Sequence, residues 1–250
     1  MAGTTRIASF NIRTSTGTDG WNRWWFRRPA CVAAIRGFGA DVVGLQEVRP
    51  GQLRGLRRAF STWMVVGEGR DADGGGEHAA VLIAPDSWTV ESSDTRWLSA
   101  TPDRPGSRGW DAGHPRIVTL VRLRRGNTVL GVANTHFDHR GPDSRRKSAA
   151  LLAGWLGAEP DRPWVITGDL NATPTSPPLT VLREAGYADT LPVDAGGTEH
   201  AFTGAQDRKR IDYVLTGPGV DVTSAWIGHE RPHGRLPSDH WPVVADLSID

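Results

Sequence analysis

Five short apolar runs meet a polar residue at one end. RIASF ends in Asn11, VVGLQ in Glu47, VLGVANT in His136 and WVITG in Asp169, while IDYVL begins at Asp212. A polar side chain at the end of an otherwise buried strand can point into a shared cleft instead of the core. Taken singly, each has a structural explanation: Asn11 and Asp169 as turn formers, Glu47 as a solvated strand end, His136 as a satisfied surface imidazole. Together they supply the carboxylates, amides and imidazoles that metal-assisted hydrolysis of a phosphate ester requires. Two segments sharpen this. In GDLNATP, Gly168 to Pro174, glycine lets the chain bend after the strand, so that Asp169 and Asn171, two residues apart, face one side. In SDHWP, a carboxylate and an imidazole, Asp239 and His240, are adjacent in a chain with only 8 histidines.

The elements that must position these groups are mostly strands. RIASFNI, DVVGLQEV, TWMVVG, AAVLIA, RIVTLVRL, TVLGVANTH, PWVITGDL, IDYVLT and WPVVADLSI read as β-type runs, some alternating and some buried on both faces. Helical patterns lie between them at Pro29 to Phe38, Leu53 to Phe60, Ser144 to Leu156 and Leu179 to Ala185, with Ser144 as the expected N-cap of the third. This order predicts an α/β fold with two mixed sheets packed face to face and helices outside, rather than a doubly wound parallel sheet. DADGGGE and TPDRPGSRGWDAGHP read as surface loops.

A chain of 250 residues without a linker-like tract is expected to form one domain over 1–250. A hydrophobic fraction of 38% and a charged fraction of 23% exclude a disordered or membrane-embedded chain. The net charge of +1 provides no global field for nucleic acid, so any polyanion must bind locally. The single cysteine, Cys31, lies in an apolar helical stretch and is expected to be a buried thiol without chemistry. The N-terminus begins at Met1 without an apolar signal region, and no run is long enough to cross a bilayer, so a cytoplasmic protein with no membrane partner is expected.

The motifs FNIR, LQEV, NTHFDH, GDLNATP, RIDYVL and SDHWPVVADL follow one another in an order that resembles the endonuclease/exonuclease/phosphatase family over nearly the whole chain. The resemblance implies that family's four-layer α/β sandwich, with a site at one end between the sheets. It implies Mg²⁺, with Mn²⁺ as the alternative ion, held by Glu47 with Asn11 beside it and Asp239 near a second position. A hard cation with oxygen ligands suits this set. Asp169 resembles the residue that orients and deprotonates the attacking water, and Asn171 the donor to the scissile phosphate. His240, oriented by Asp212, resembles the group that stabilises the transition state. His136 resembles a phosphate-contacting histidine with Glu77 as its partner, and Arg116 an arginine near the phosphate; each of the latter two can equally be a surface side chain. Asp138 and His139 complete the NTHFDH motif and either reach the cleft or shape the following loop.

The expected function is therefore divalent-metal-dependent hydrolysis of a phosphoester by water, as a phosphodiesterase or phosphatase acting on a nucleotide or small-molecule phosphate. A DNA or RNA nuclease is the first alternative, but dense basic runs beyond RRPA and SRRK are absent. A catalytically silent binding module is the second. The loop RTSTGTDGWNRWWFRRP, after Asn11, packs three tryptophans, a phenylalanine and four arginines, which either cap the sheet edge or bind substrate. Sequence leaves the oligomeric state open.

Overall fold

The computed structural model describes residues 4–249. Two six-stranded sheets form its centre. The first runs in the order β11 (Val220–Ile227), β12 (Val243–Ile249), β1 (Thr5–Asn11), β2 (Val42–Val48), β4 (His78–Ile83), β3 (Met64–Val66). The second runs β5 (Thr89–Trp97), β6 (Ile117–Arg125), β7 (Thr128–His136), β8 (Trp164–Asp169), β10 (Asp212–Thr216), β9 (Ala188–Asp189). β1 and β2 are parallel, as are β7 and β8, while the other pairs are antiparallel. Both sheets are therefore mixed, as expected.

A parallel pair needs a crossover, and each is supplied by a helix. α1 (Trp24–Gly37) joins β1 to β2, and α3 (Pro142–Gly157) joins β7 to β8. α2 (Pro50–Ala59) and α4 (Pro177–Glu184) follow β2 and β8. The crossovers bring strand ends level: Asn11 lies opposite Gln46, and His136 opposite Asp169. β10 then starts where β8 stops, with Asp212 opposite Asp169.

Three apolar clusters hold the layers together. One lies between the sheets and includes Ile7, Val42, Val132, Val165 and Val214. Another seats α1 and α2 on the first sheet through Cys31, Ile35, Leu53 and Leu56 against Phe10, Val43 and Leu45. The third seats α3 and α4 on the second sheet through Leu152, Leu156, Leu179 and Leu182 against Ile166, Tyr213 and Leu215. Helix, sheet, sheet, helix makes the four-layer α/β sandwich. Cys31 is fully buried, and burial pushes its thiol up to about 12. No helix among the described residues is long and apolar enough to cross a membrane.

The structure corrects several sequence-based boundaries. α1 starts at Trp24, so Pro29 lies inside the helix rather than at its first position. α2 starts at Pro50, where Pro occupies the N-terminal turn and Gln52 accepts the Arg49 N–H at 3.1 Å. Ser144 is not the N-cap of α3: Gly141 is, followed by Pro142. Asp111, from a distant loop, caps the helix instead, accepting the N–H groups of Ser144 at 2.7 Å and Asp143 at 3.2 Å. Capping from elsewhere in the chain leaves no local signal. The unanticipated strands are β5, β9 and β11, three of the four sheet edges. Most residues of β5 and β11 are partly or fully exposed, which removes the alternation that reveals a half-buried strand.

Candidate active site

Along each central strand, the side chains that face the opposite sheet change character towards one end. β1 gives Ile7, Ser9 and Asn11; β7 gives Val132, Asn134 and His136; β8 gives Val165, Thr167 and Asp169. The middle layer is a buried polar network. Asn134 accepts from Gln46 Nε2 at 2.7 Å and Thr167 Oγ1 at 3.1 Å, and donates to the carbonyls of Leu45 and Ala80, each at 2.9 Å. β2 contributes Gly44 at this level, where an added Cβ would collide with Thr167 and Asn134, so only glycine admits the network. Above it, the strand ends open a cleft of about 350 Å³.

Glu47 enters the cleft by a backbone irregularity. Strict alternation would place it beside Val43 and Leu45 on the helix-covered face. Instead the pairing of β2 with β4 slips between Leu45 and Val48, and Glu47 adopts φ +62°. A left-handed glutamate inside a strand is strained, and such strain persists where surrounding contacts fix it. Those contacts are Asn11 Nδ2, donating to Oε1 at 3.1 Å, and the Thr14 N–H, donating to Oε2 at 2.7 Å. Burial alone would raise the Glu47 carboxyl, but these donors and the nearby His240 hold it below the ordinary range.

Asn11 also donates to Asp169 Oδ2 at 2.9 Å, while its Oδ1 accepts the Arg13 N–H at 2.9 Å. In this orientation it ties two carboxylates together. Asp169 Oδ1 accepts the Asn171 N–H at 2.9 Å, and Asn171, at φ +47°, donates its amide to the Phe137 carbonyl at 3.0 Å and lies 3.0 Å from His136 Nε2. Burial and the neighbouring Asp212 push Asp169 up to about 7.

His240 Nδ1 lies 2.8 Å from Asp212 Oδ2 and 3.9 Å from Asp169 Oδ2. Burial would lower its basicity, but the Asp212, Asp169 and Asp239 carboxylates outweigh burial and raise it well above the ordinary range. His136 behaves in the opposite way. Burial, reinforced by Arg116 and Arg70, keeps it well below the ordinary range and hence neutral. Asp239 lies 3.5 Å from Arg13 Nε and is raised by burial, with Glu47 adding repulsion.

Glu77 lines the cleft, but the expected pairing with His136 is absent. Its Oε2 is taken by Arg70 NH1 at 2.5 Å, and His136 Nδ1 is buried without a partner. The guanidinium of Arg70 compensates a carboxylate that burial and the proximity of Glu47 would otherwise push up further. Arg116 is 4% exposed and lies against the cleft, held by Asp138 Oδ2 at 3.4 Å and His139 Nδ1 at 3.1 Å. Asp138 therefore acts beneath the wall, and His139 within it. Arg70 has no motif of its own in the sequence, and Arg13 is one of the four arginines of the loop after Asn11. Arg13 stands two residues from Asn11, and Arg70 is brought to Glu77 by the glycine-rich turn between them, so both had only local signals.

Carboxylates dominate the cleft floor, and Asp212 Oδ1 is buried with no partner among the described residues. A hard divalent cation fits such an oxygen-rich donor set. By distance alone, Asp169, Asp212 and His240 each offer one ligand atom within 4.8 Å of the others. In that trio, however, the His240 nitrogen already faces Asp212 at hydrogen-bonding distance. It reads more naturally as an oriented imidazole than as a ligand group.

Comparison with known proteins agrees with this geometry. The endonuclease/exonuclease/phosphatase family model matches residues 8–240. A crystal structure of an endonuclease/exonuclease/phosphatase from Bacteroides vulgatus is 33% identical, with a TM-score of 0.92 over 99% of this chain and 100% of that one. A mannosyl-6-phosphatase from Bacteroides thetaiotaomicron is 28% identical, with a TM-score of 0.90 over 98% of this chain and 100% of its own. TDP2 from D. rerio, complexed with single-strand DNA product, shares the fold at 17% identity and a TM-score of 0.78, covering 98% and 99% of the two chains. No curated protein matches. With its motifs in family order on a four-layer sandwich and its carboxylates and imidazoles gathered at one end, this chain belongs to the endonuclease/exonuclease/phosphatase family, whose members are phosphoesterase hydrolases.

Proposed function

We propose that residues 1–250 act as one domain that hydrolyses small-molecule phosphate esters with Mg²⁺, by direct attack of water. The observation that carries this reading is that His240, backed by the buried Asp212, lines a single cleft together with Asp169, Glu47 and Asn171. Mg²⁺ held by Glu47 and Asp239, with Mn²⁺ as the alternative, would neutralise phosphate charge and polarise the phosphorus. Asn11 supports that position by donating to both Glu47 and Asp169.

Asp169 is the base. Its carboxylate is pushed up to about 7, close to neutral pH, where a general base is most effective. Asp212 fixes the His240 ring through Nδ1, leaving Nε2 free to donate to a phosphoryl oxygen as charge develops. Asn171 would serve the phosphate from the opposite side by turning to it one of the two amide donors that otherwise face the Phe137 carbonyl and His136 Nε2. His136, neutral and bonded through Nε2 to Asn171, steadies that amide. Arg116 supplies a planar guanidinium on the wall. Glu77 acts on that wall through Arg70 rather than through His136.

The cleft favours a small polar ester over a nucleic acid strand. At about 350 Å³ it is at the small end of ligand sites. Among the described residues no Phe, Tyr or Trp lines it, whereas single strands of nucleic acid are commonly held by aromatic faces. The likeness to a mannosyl-6-phosphatase at 28% identity supports a phosphomonoester. A screen with Mg²⁺ and Mn²⁺ covering sugar phosphates, nucleotides, phospholipids, RNA, and single-stranded and plasmid DNA tests this. Phosphate release from sugar phosphates or nucleotides is expected. Rapid nicking of plasmid with small esters untouched would favour the nuclease instead, and silence across the panel would favour a binding module.

A further inference from the structure

The two outer helical layers differ in charge. On the second sheet, α3 carries Asp143, which pairs with Arg146 at 2.9 Å and Lys147 at 2.7 Å, and α4 carries Glu184. On the first sheet, α1 and α2 hold six arginines and no carboxylate. Between Gly20 and Phe60 lie eight of the chain's 29 Lys and Arg but only two of its 28 Asp and Glu, so this stretch is +6 and the remainder −5. The two acids are not on the helical face: Asp41 accepts the Arg6 N–H, and Glu47 is in the cleft.

The side chains of Arg23, Arg28, Arg54, Arg57 and Arg58 are exposed and make no hydrogen bond or ion pair among the described residues. The two helices lie side by side, joined by Arg36 NH2 donating to the Ala59 carbonyl at 2.8 Å. At the start of α1 the same face carries an apolar projection. Trp21 is 77% exposed, Trp25 76% and Phe26 44%. Exposed rings of this size, clustered at one place, mark an interaction surface. Their position is fixed, because the adjacent Arg27 is buried and donates to the carbonyls of Ile12, Arg13, Asn22 and Pro237.

We propose that the α1/α2 face is a peripheral docking surface for anionic phospholipid bilayers. Trp and Phe rings partition into the headgroup boundary, and surrounding arginines bind lipid phosphates. Nucleic acid would also attract the arginines, but it needs open ring faces for its bases. Here Trp21 and Phe26 pack against each other, with centroids 5.2 Å apart and planes tilted by 47°, so among the described residues Trp25 is one open ring beside them rather than part of a series on which successive bases could stack. The expectation of no membrane partner rests on the lack of a run long enough to cross a bilayer, and surface adsorption needs none.

Cosedimentation with vesicles tests the proposal. The full chain should pellet with phosphatidylcholine vesicles containing phosphatidylglycerol, pellet less as salt rises, and stay in solution with pure phosphatidylcholine. Trp25→Ser with Phe26→Ser, and separately Arg54→Glu with Arg57→Glu, should each weaken binding on the order of tenfold or more. Unchanged melting temperature and near-ultraviolet circular dichroism would show that the variants are folded. The proposal is overturned if the parent protein ignores the anionic vesicles, or if both variants bind like the parent. It is likewise overturned if the same substitutions abolish binding to a labelled single-stranded oligonucleotide while vesicles are never bound.

Discussion

The space between the two sheets has two ends built on the same strands. At one end Val42, Val132, Val165 and Val214 close an apolar cluster with no polar demand. Two residues further along β7 and β8, Asn134 and Thr167 form a hydrogen-bonded layer, and beyond it Glu47, His136 and Asp169 reach the cleft, with Asp212 buried behind His240. The apolar end stabilises by burial, about 25 cal/mol per Å² of apolar surface. The polar end sacrifices stability: Glu47 is left-handed, Asp169 and Asp212 repel each other, and Asp212 Oδ1 lacks a partner among the described residues. Strain and repulsion gathered at one end of an otherwise well-packed interior are what a reactive site requires.

Substitutions should separate the ends. The largest effect belongs to the cleft: Asp169→Asn should cut turnover by about a thousandfold or more, yet leave the melting temperature unchanged or raised, because it removes a repulsion with Asp212. Paired kinetics and thermal melts would show this, and a large loss of stability would blur the two ends. At the apolar end, Leu123→Ala should destabilise by roughly 2–5 kcal/mol in denaturant titrations, with turnover per folded molecule intact. The middle layer should show both effects. Asn134→Leu strands the carbonyls of Leu45 and Ala80, costing about 1–3 kcal/mol in the same titrations, with a partial loss of turnover as Gln46 shifts.

The smallest effect concerns acid stability. Asp138 accepts the N–H groups of Gly113, Arg140 and Gly141 and faces Arg116, which outweighs the burial that would raise it and holds its carboxyl well below the usual range. A folded-state value below the unfolded one stabilises the protein above the ordinary Asp range, about pH 4, and this contribution is lost as pH falls through the folded value. Asp138→Asn should therefore lower stability at neutral pH and flatten its decline in acid. An unchanged slope of stability against pH below about pH 4 would remove Asp138 from the account.

How far the sequence revealed this follows the same division. Central strands were legible because each carries its burial pattern locally, and the polar residues that end them stood out against it. β5, β9 and β11 were not, since they are edges whose partners, rather than their own patterns, define them. Within the cleft, Asp169, Asp212 and His240 were anticipated as a group, and the structure brings them together. The pairing of Glu77 with Arg70 instead of the expected His136 depends on a turn of the DADGGG segment that periodicity does not encode. The Asp111 cap on α3 was invisible for the same reason: its donor and acceptor are more than thirty positions apart.

The most direct test of the account is phosphate release from a small chromogenic phosphate ester by the parent protein and by His240→Ala, each with Mg²⁺ and with chelator, on samples of matched melting temperature. Turnover by the parent that chelator abolishes, and a loss of several orders of magnitude in folded His240→Ala, are expected. Near-parental, chelator-insensitive turnover by His240→Ala would contradict the placement of the reaction at the polar end of the sandwich.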